Sequence, residues 1–103
     1  MIELTEKNFQ ETIDESDLVL VDFYATWCGP CKMQADVLSK IQTSRANKYN
    51  IAKVNIDEAP ALATRFGIDA IPTIIVFKNG KEIHKTVGLS TEEEIISMLE
   101  DNK

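Results

Sequence analysis

Cys28 and Cys31 are the only cysteines in the chain, and they sit two residues apart in Trp27-Cys28-Gly29-Pro30-Cys31-Lys32. That spacing can close a small disulfide ring. The hydrophobic run just upstream reads as a buried strand, so the first sulfur falls where a helix can begin. The positive end of a helix favours negative charge, and therefore thiolate over thiol. These residues point to thiol–disulfide exchange rather than to a structural cross-link.

Two other uses of the pair compete with this. A structural zinc site needs four ligands and a catalytic one three plus water. The chain has one histidine, His84, on an expected hairpin strand without metal spacing, so a metal site within one chain is not expected. Two inert buried thiols fit poorly with Gly29-Pro30 between them, because that dipeptide suits an exposed turn. Exchange is the reading the residues favour, with a distinct role for each sulfur. Cys28, at the exposed helix start, is the expected attacking thiolate and forms a mixed disulfide with substrate. Cys31, about one helical turn further on, is the expected resolving thiol. Pro30 stiffens the loop and is expected to influence the redox balance.

Asp22 interrupts an otherwise apolar strand six residues before Cys28. One reading is a solvated or structurally paired carboxylate. The other is a desolvated acid with a raised pKa, able to take the Cys31 proton as that thiol attacks. Lys53, on the next expected strand, can neighbour Asp22 and tune its charge.

Several elements must position these groups. Ile2 and Leu4 suggest a short strand, and Thr5 an N-cap for a helix from Glu6 to about Ile13. Leu18 to Tyr24 is nearly continuous apolar sequence, as in a central parallel strand covered on both faces. Pro30 fits the first turn of a helix, to which Met33, Val37, Leu38 and Ile41 supply a core-facing stripe. Ile51 to Ile56 reads as a strand, and Ala61 to Phe66 as a short helix between Pro60 and Gly67. Thr73 to Lys78 and Lys81 to Val87 flank Asn79-Gly80, a strong hairpin signal. Ser90-Thr91-Glu92-Glu93 reads as a capping box for a last helix carrying Ile95, Ile96 and Leu99. The order β-α-β-α-β-α-β-β-α predicts an α/β fold with a central mixed sheet and helices on both faces. Chemistry in open α/β sheets collects beyond the C-terminal ends of strands, which is where Trp27 to Cys31 falls.

With 103 residues the chain fits one domain, 1–103. Its 44% apolar and 27% charged residues are those of an ordered globular protein. A net charge of −6 without a basic cluster disfavours nucleic acid and anionic membranes as partners. The N-terminal residues show no signal-peptide pattern, and no apolar run is long enough to span a bilayer. A cytoplasmic location is therefore expected. In such a reducing compartment a cysteine pair is expected to cycle rather than to remain a permanent disulfide.

Taken together, these residues resemble the thioredoxin family over essentially the whole chain. The hexapeptide from Trp27 to Lys32 matches the family's active-site motif without substitution, and Val21-Asp22-Phe23 matches its strand with a buried aspartate. Lys53 with Asn55-Ile56-Asp57, Ile71-Pro72-Thr73, Phe77-Lys78-Asn79-Gly80 and Val87-Gly88 match further segments. The resemblance implies the thioredoxin fold and a protein-disulfide reductase recharged by a thioredoxin reductase. It also implies a cis Ile71-Pro72 bond and a shallow substrate groove formed by Trp27, Gly29, Pro30, Ile71, Pro72, Gly88 and Leu89. Gly29-Pro30 favours a reductase over an oxidase or isomerase of the same fold. A pure binding module with incidental cysteines is the remaining alternative. No cofactor and no metal are expected, and a monomer is. Two residues depart from the family pattern. Asp36 stands where the family usually has a helix-kinking proline, which predicts a straighter helix because Asp36 keeps its backbone N–H. Tyr24 stands where many members carry a second tryptophan.

Overall fold

The computed structural model describes residues 1–103 and contains five strands and four helices in the expected order. They are β1 (Ile2–Leu4), α1 (Phe9–Glu15), β2 (Leu18–Tyr24), α2 (Gly29–Ser44), β3 (Asn50–Asn55), α3 (Pro60–Arg65), β4 (Thr73–Lys78), β5 (Lys81–Val87) and α4 (Glu92–Glu100). The strands form one sheet in the order β1-β3-β2-β4-β5. β1 and β2 each pair with β3 in parallel, while β4 runs antiparallel to both β2 and β5. The apolar run Leu18 to Tyr24 is thus the central strand, where both faces must be covered.

Side-chain alternation along β2 divides the interior in two. Val19, Val21 and Phe23 pack with Phe9 and Ile13 of α1 and Leu62 of α3. Leu20, facing the other way, packs with Leu38 and Ile41 of α2 and Ile95 and Leu99 of α4. Asp22 shares the parity of Leu20, so it faces the layer containing α2. On the first face Phe66 completes an aromatic group, with ring centroids 5.3 Å from Phe9 and 5.4 Å from Phe77.

Three local expectations are corrected. Met33 does not face the core and is 57% exposed. The inward stripe of α2 is Cys31, Gln34, Leu38 and Ile41, and a residue two positions from Cys31 is rotated by about 200° around a helix. The last helix is capped one residue later than expected. Thr91 is its N-cap, accepting from the Glu94 N–H at 3.2 Å, while Glu94 Oε1 accepts from the Thr91 N–H at 2.9 Å. Thr5 opens a turn rather than capping α1 directly. The Thr5 N–H donates to Asn8 Oδ1 at 2.7 Å and Asn8 N–H to Thr5 Oγ1 at 3.4 Å, and α1 follows from Phe9. α2 is continuous through Asp36 to Ser44.

Candidate active site

β2 ends at Tyr24, and the chain needs only four more residues before α2 begins at Gly29. Cys28 is the N-cap of α2, in extended conformation, and Pro30 lies in the first turn. Pro30 is suited to that turn because helix starts have no intrahelical acceptor for the missing N–H. Cys28 Sγ accepts the Cys31 N–H at 3.2 Å. An N-terminal N–H directed at sulfur stabilises a thiolate there, adding to the field of the 16-residue helix.

Cys28 and Cys31 are joined by a disulfide, with Cα atoms 5.2 Å apart. Cys31 is 2% exposed and Cys28 7%. The order of access is the expected one, but Cys28 is far more covered than an exposed helix start implies. Ile71 and Ala25 pack around the pair, and Cys28 Sγ lies 3.9 Å from the Ile71 carbonyl oxygen. That contact brings in the loop before β4, where Ile71-Pro72 is a cis peptide as the family resemblance implies. The Gly88 N–H donates to the Pro72 carbonyl at 2.8 Å. Residues more than forty positions apart in sequence thus line one edge of the sulfur pair.

Around this edge, Trp27 is 69% exposed and Leu89 45%, Gly29 and Pro30 are exposed, and Pro72 is buried. The Trp27 indole N–H donates to Asp57 Oδ2 at 2.8 Å, so the exposed ring is held from the β3–α3 loop. Built Cβ atoms at Gly29 and Gly88 would meet no other group within 4 Å. The surface is therefore open at both glycines to close approach by another backbone.

Asp22 is 1% exposed and its Oδ1 atom has no hydrogen-bond partner. Burial pushes its pKa up to about 7, a rise opposed by the positive charge of Lys53. Asp22 is register partner to Lys53 on β3 and to Ile74 on β4. One flank is therefore charged and the other apolar. The Lys53 ammonium is engaged elsewhere, 3.6 Å from Glu3 Oε1 and 5.5 Å from the centre of the Tyr24 ring. The Tyr24 hydroxyl also donates to Glu3 Oε1, at 2.9 Å, and burial together with that carboxylate raises its pKa to about 12.

The structure thus brings Ile71 and Pro72 to the sulfur pair in Trp27 to Cys31, with Gly88 joined to that loop at the Pro72 carbonyl and exposed Leu89 next to it in the chain. Asp22 lies in the sheet on the α2 side, with Lys53 beside it. Two residues with a part in this arrangement were not singled out as site residues from the sequence. Asp57 tethers Trp27, and nothing local predicts a bond across 30 residues. Gln34, 0% exposed, lies three residues after Cys31 on the buried stripe of α2. A polar residue at that helical spacing was the available signal. No group of three His, Cys, Asp or Glu side chains is arranged to hold a metal ion.

A disulfide between two cysteines at a helix start, on a sheet whose central strand carries a buried acid, is the arrangement of a thiol–disulfide oxidoreductase built on an α/β sheet. The thioredoxin family model matches residues 1–101. The chain is 44% identical over 98 residues to thioredoxin of Alicyclobacillus acidocaldarius, covering 95% of this chain and 93% of that one. It is 43% identical over 100 residues to thioredoxin of Staphylococcus saprophyticus, covering 97% and 95% of the two chains. Among solved structures, a mutant thioredoxin from Halobacterium salinarum superposes with a TM-score of 0.88 at 31% identity, covering 98% of this chain and 88% of that one. The chain belongs to the thioredoxin family, and its fold is the thioredoxin fold.

Proposed function

We propose that this chain reduces protein disulfides through a two-step exchange in which Cys28 is the nucleophile and Cys31 the resolving thiol. The Cys28 thiolate attacks one sulfur of a substrate disulfide, forming a mixed disulfide and releasing the other substrate sulfur as a thiolate. Cys31 then attacks Cys28, closing the Cys28–Cys31 disulfide and releasing the second substrate thiolate. Two electrons pass to substrate. The observation that carries this assignment is the Cys31 N–H directed at Cys28 Sγ from the first turn of α2, which favours the anion on Cys28.

Asp22 takes the Cys31 proton during resolution. With a pKa of about 7, both its protonation states are populated at neutral pH, as suits a group that must accept and return a proton. Lys53 tunes that acid, and Gly29 with Pro30 tunes the sulfur pair. Trp27, Ile71, Pro72, Gly88 and Leu89 form the surface on which the extended substrate lies. Residues 1–103 act as one thioredoxin domain and as a monomer, in the cytoplasm, recharged by a thioredoxin reductase. No helix is long and apolar enough to cross a membrane, and the net charge of −6 disfavours nucleic acid and anionic lipid surfaces.

The decisive experiment compares wild type with Cys28→Ser in the reduction of insulin disulfides with dithiothreitol as electron source. The variant should fall to the uncatalysed rate. Equal rates for the two proteins would refute the assignment.

A further inference from the structure

Gln34 is a fully buried amide on the helix that carries both sulfurs. Its Oε1 accepts the Ser90 backbone N–H at 2.7 Å, and its Nε2 donates to the Ser90 carbonyl at 3.2 Å. One side chain therefore pairs with both backbone groups of a single residue 56 positions away, fixing its orientation as well as its distance. The Ser90 backbone makes no other hydrogen bond, and its Oγ, also buried, has no partner. Neither the Ser90 side chain nor the sheet ladder holds this segment; the Gln34 amide does.

The held segment leads directly back to the substrate surface. Ser90 follows Leu89 and Gly88, and the Gly88 N–H is bonded to Pro72 at 2.8 Å. Gly88-Leu89 is thus pinned at one end to the loop touching Cys28 and at the other, through Ser90, to α2. A buried amide at a core position of a helix costs desolvation that an apolar residue would avoid. Its return is the satisfaction of two backbone groups that would otherwise be orphaned.

We infer that Gln34 is a positioning residue for substrate binding, which sets the Gly88-Leu89 wall of the groove relative to the Cys28–Cys31 helix. The inference rests on the groove reading above. It separates two substrate classes. A protein disulfide must lie along Gly88-Leu89, whereas a small aromatic disulfide needs only the Cys28 sulfur.

The test uses pre-reduced full-length protein in single-turnover reactions with oxidised insulin and with 5,5′-dithiobis(2-nitrobenzoic acid). Gln34→Met keeps similar length and bulk while removing both bonds. It should raise the half-saturating insulin concentration on the order of fivefold, leave the limiting rate within about twofold, and leave the small disulfide within about twofold on both measures. Gln34→Glu keeps an acceptor for the Ser90 N–H but turns its other carboxylate oxygen toward the Ser90 carbonyl, so it should raise the half-saturating insulin concentration at least as much as Gln34→Met, again without loss on the small disulfide. Parallel losses on both substrates, or no change on either, would overturn the inference while leaving the reductase reading intact. Failure of both variants to fold would also overturn it, since the amide would then serve the fold as a whole. A wild type inactive on both substrates would overturn the reductase reading and this one with it.

Discussion

Asp22 and Lys53 are register partners on adjacent parallel strands, yet the Lys53 ammonium makes its ion pair with Glu3 rather than with Asp22. The buried carboxylate is left with a charged neighbour but no direct partner, and its Oδ1 is unsatisfied. Desolvation therefore outweighs attraction, and the pKa settles near neutrality instead of in the usual carboxylate range.

That imbalance makes stability depend on pH. The folded state holds the Asp22 proton up to about pH 7, against 3.8 for the ordinary side chain. The stability contributed by protonation is fully present below the lower value and is lost as pH rises through the upper one. Asp22→Asn cannot titrate, so the oxidised variant should gain relative to wild type with rising pH. The gain should be about 4 kcal/mol between pH 4 and pH 8.5, read from urea unfolding at both values. A difference that does not vary with pH would contradict the burial of the charge. In the reaction, the same variant should slow resolution of the mixed disulfide more than its formation.

Lys53 is the charge that restrains Asp22, and its removal should act through that acid. Lys53→Met should move the Asp22 midpoint upward, because the opposing positive charge is gone. Less carboxylate would then be present at pH 7, and resolution should slow by about two- to threefold. Infrared titration of the carboxyl band in oxidised protein reads the midpoint directly. An unchanged midpoint would mean that Glu3 already cancels the lysine's field.

Two glycines with positive φ should respond differently to alanine. Gly80, at φ +81, turns the β4–β5 hairpin, and a Cβ there would lie 2.6 Å from Asp14 Oδ1. Gly88, at φ +95, shares the backbone strain, but its Cβ would enter open space beside Pro72. Both substitutions should cost about 1 kcal/mol or more from the left-handed backbone alone, and Gly80→Ala more than Gly88→Ala. The kinetic order should reverse. Gly88→Ala should raise KM for a protein disulfide severalfold, whereas Gly80→Ala should leave it within about twofold. Thermal unfolding and insulin reduction, measured on both variants, separate the two effects.

Much of this site is legible because its chemistry is local. Cys28 and Cys31 share one helical turn, Pro30 marks the start of α2, and the apolar run before them requires a covered central strand. Asn79-Gly80 and the spacing of Ile95 and Leu99 place the hairpin and the last helix without reference to anything distant. The family motifs added Ile71-Pro72 and Gly88, which nothing in their local spacing connects to the sulfurs. The one-residue displacement of the final cap, from Ser90 to Thr91, has a long-range companion. The Ser90 backbone is engaged by Gln34 across the fold, and Thr91 is the residue that caps α4.

By itself, then, the sequence determined the order of the elements, the spacing of the cysteine pair at a helix start and the presence of an acid within the apolar strand before it, since these depend on residue type, periodicity and short-range turn chemistry. Only the tertiary structure decided how hard Asp22 is to ionise, how little of Cys28 is exposed, that Met33 faces outward, and that Gln34 holds Ser90. Those properties arise from strand register and helix rotation, which set the distances between residues remote in the chain. Desolvation and hydrogen bonding act on those distances.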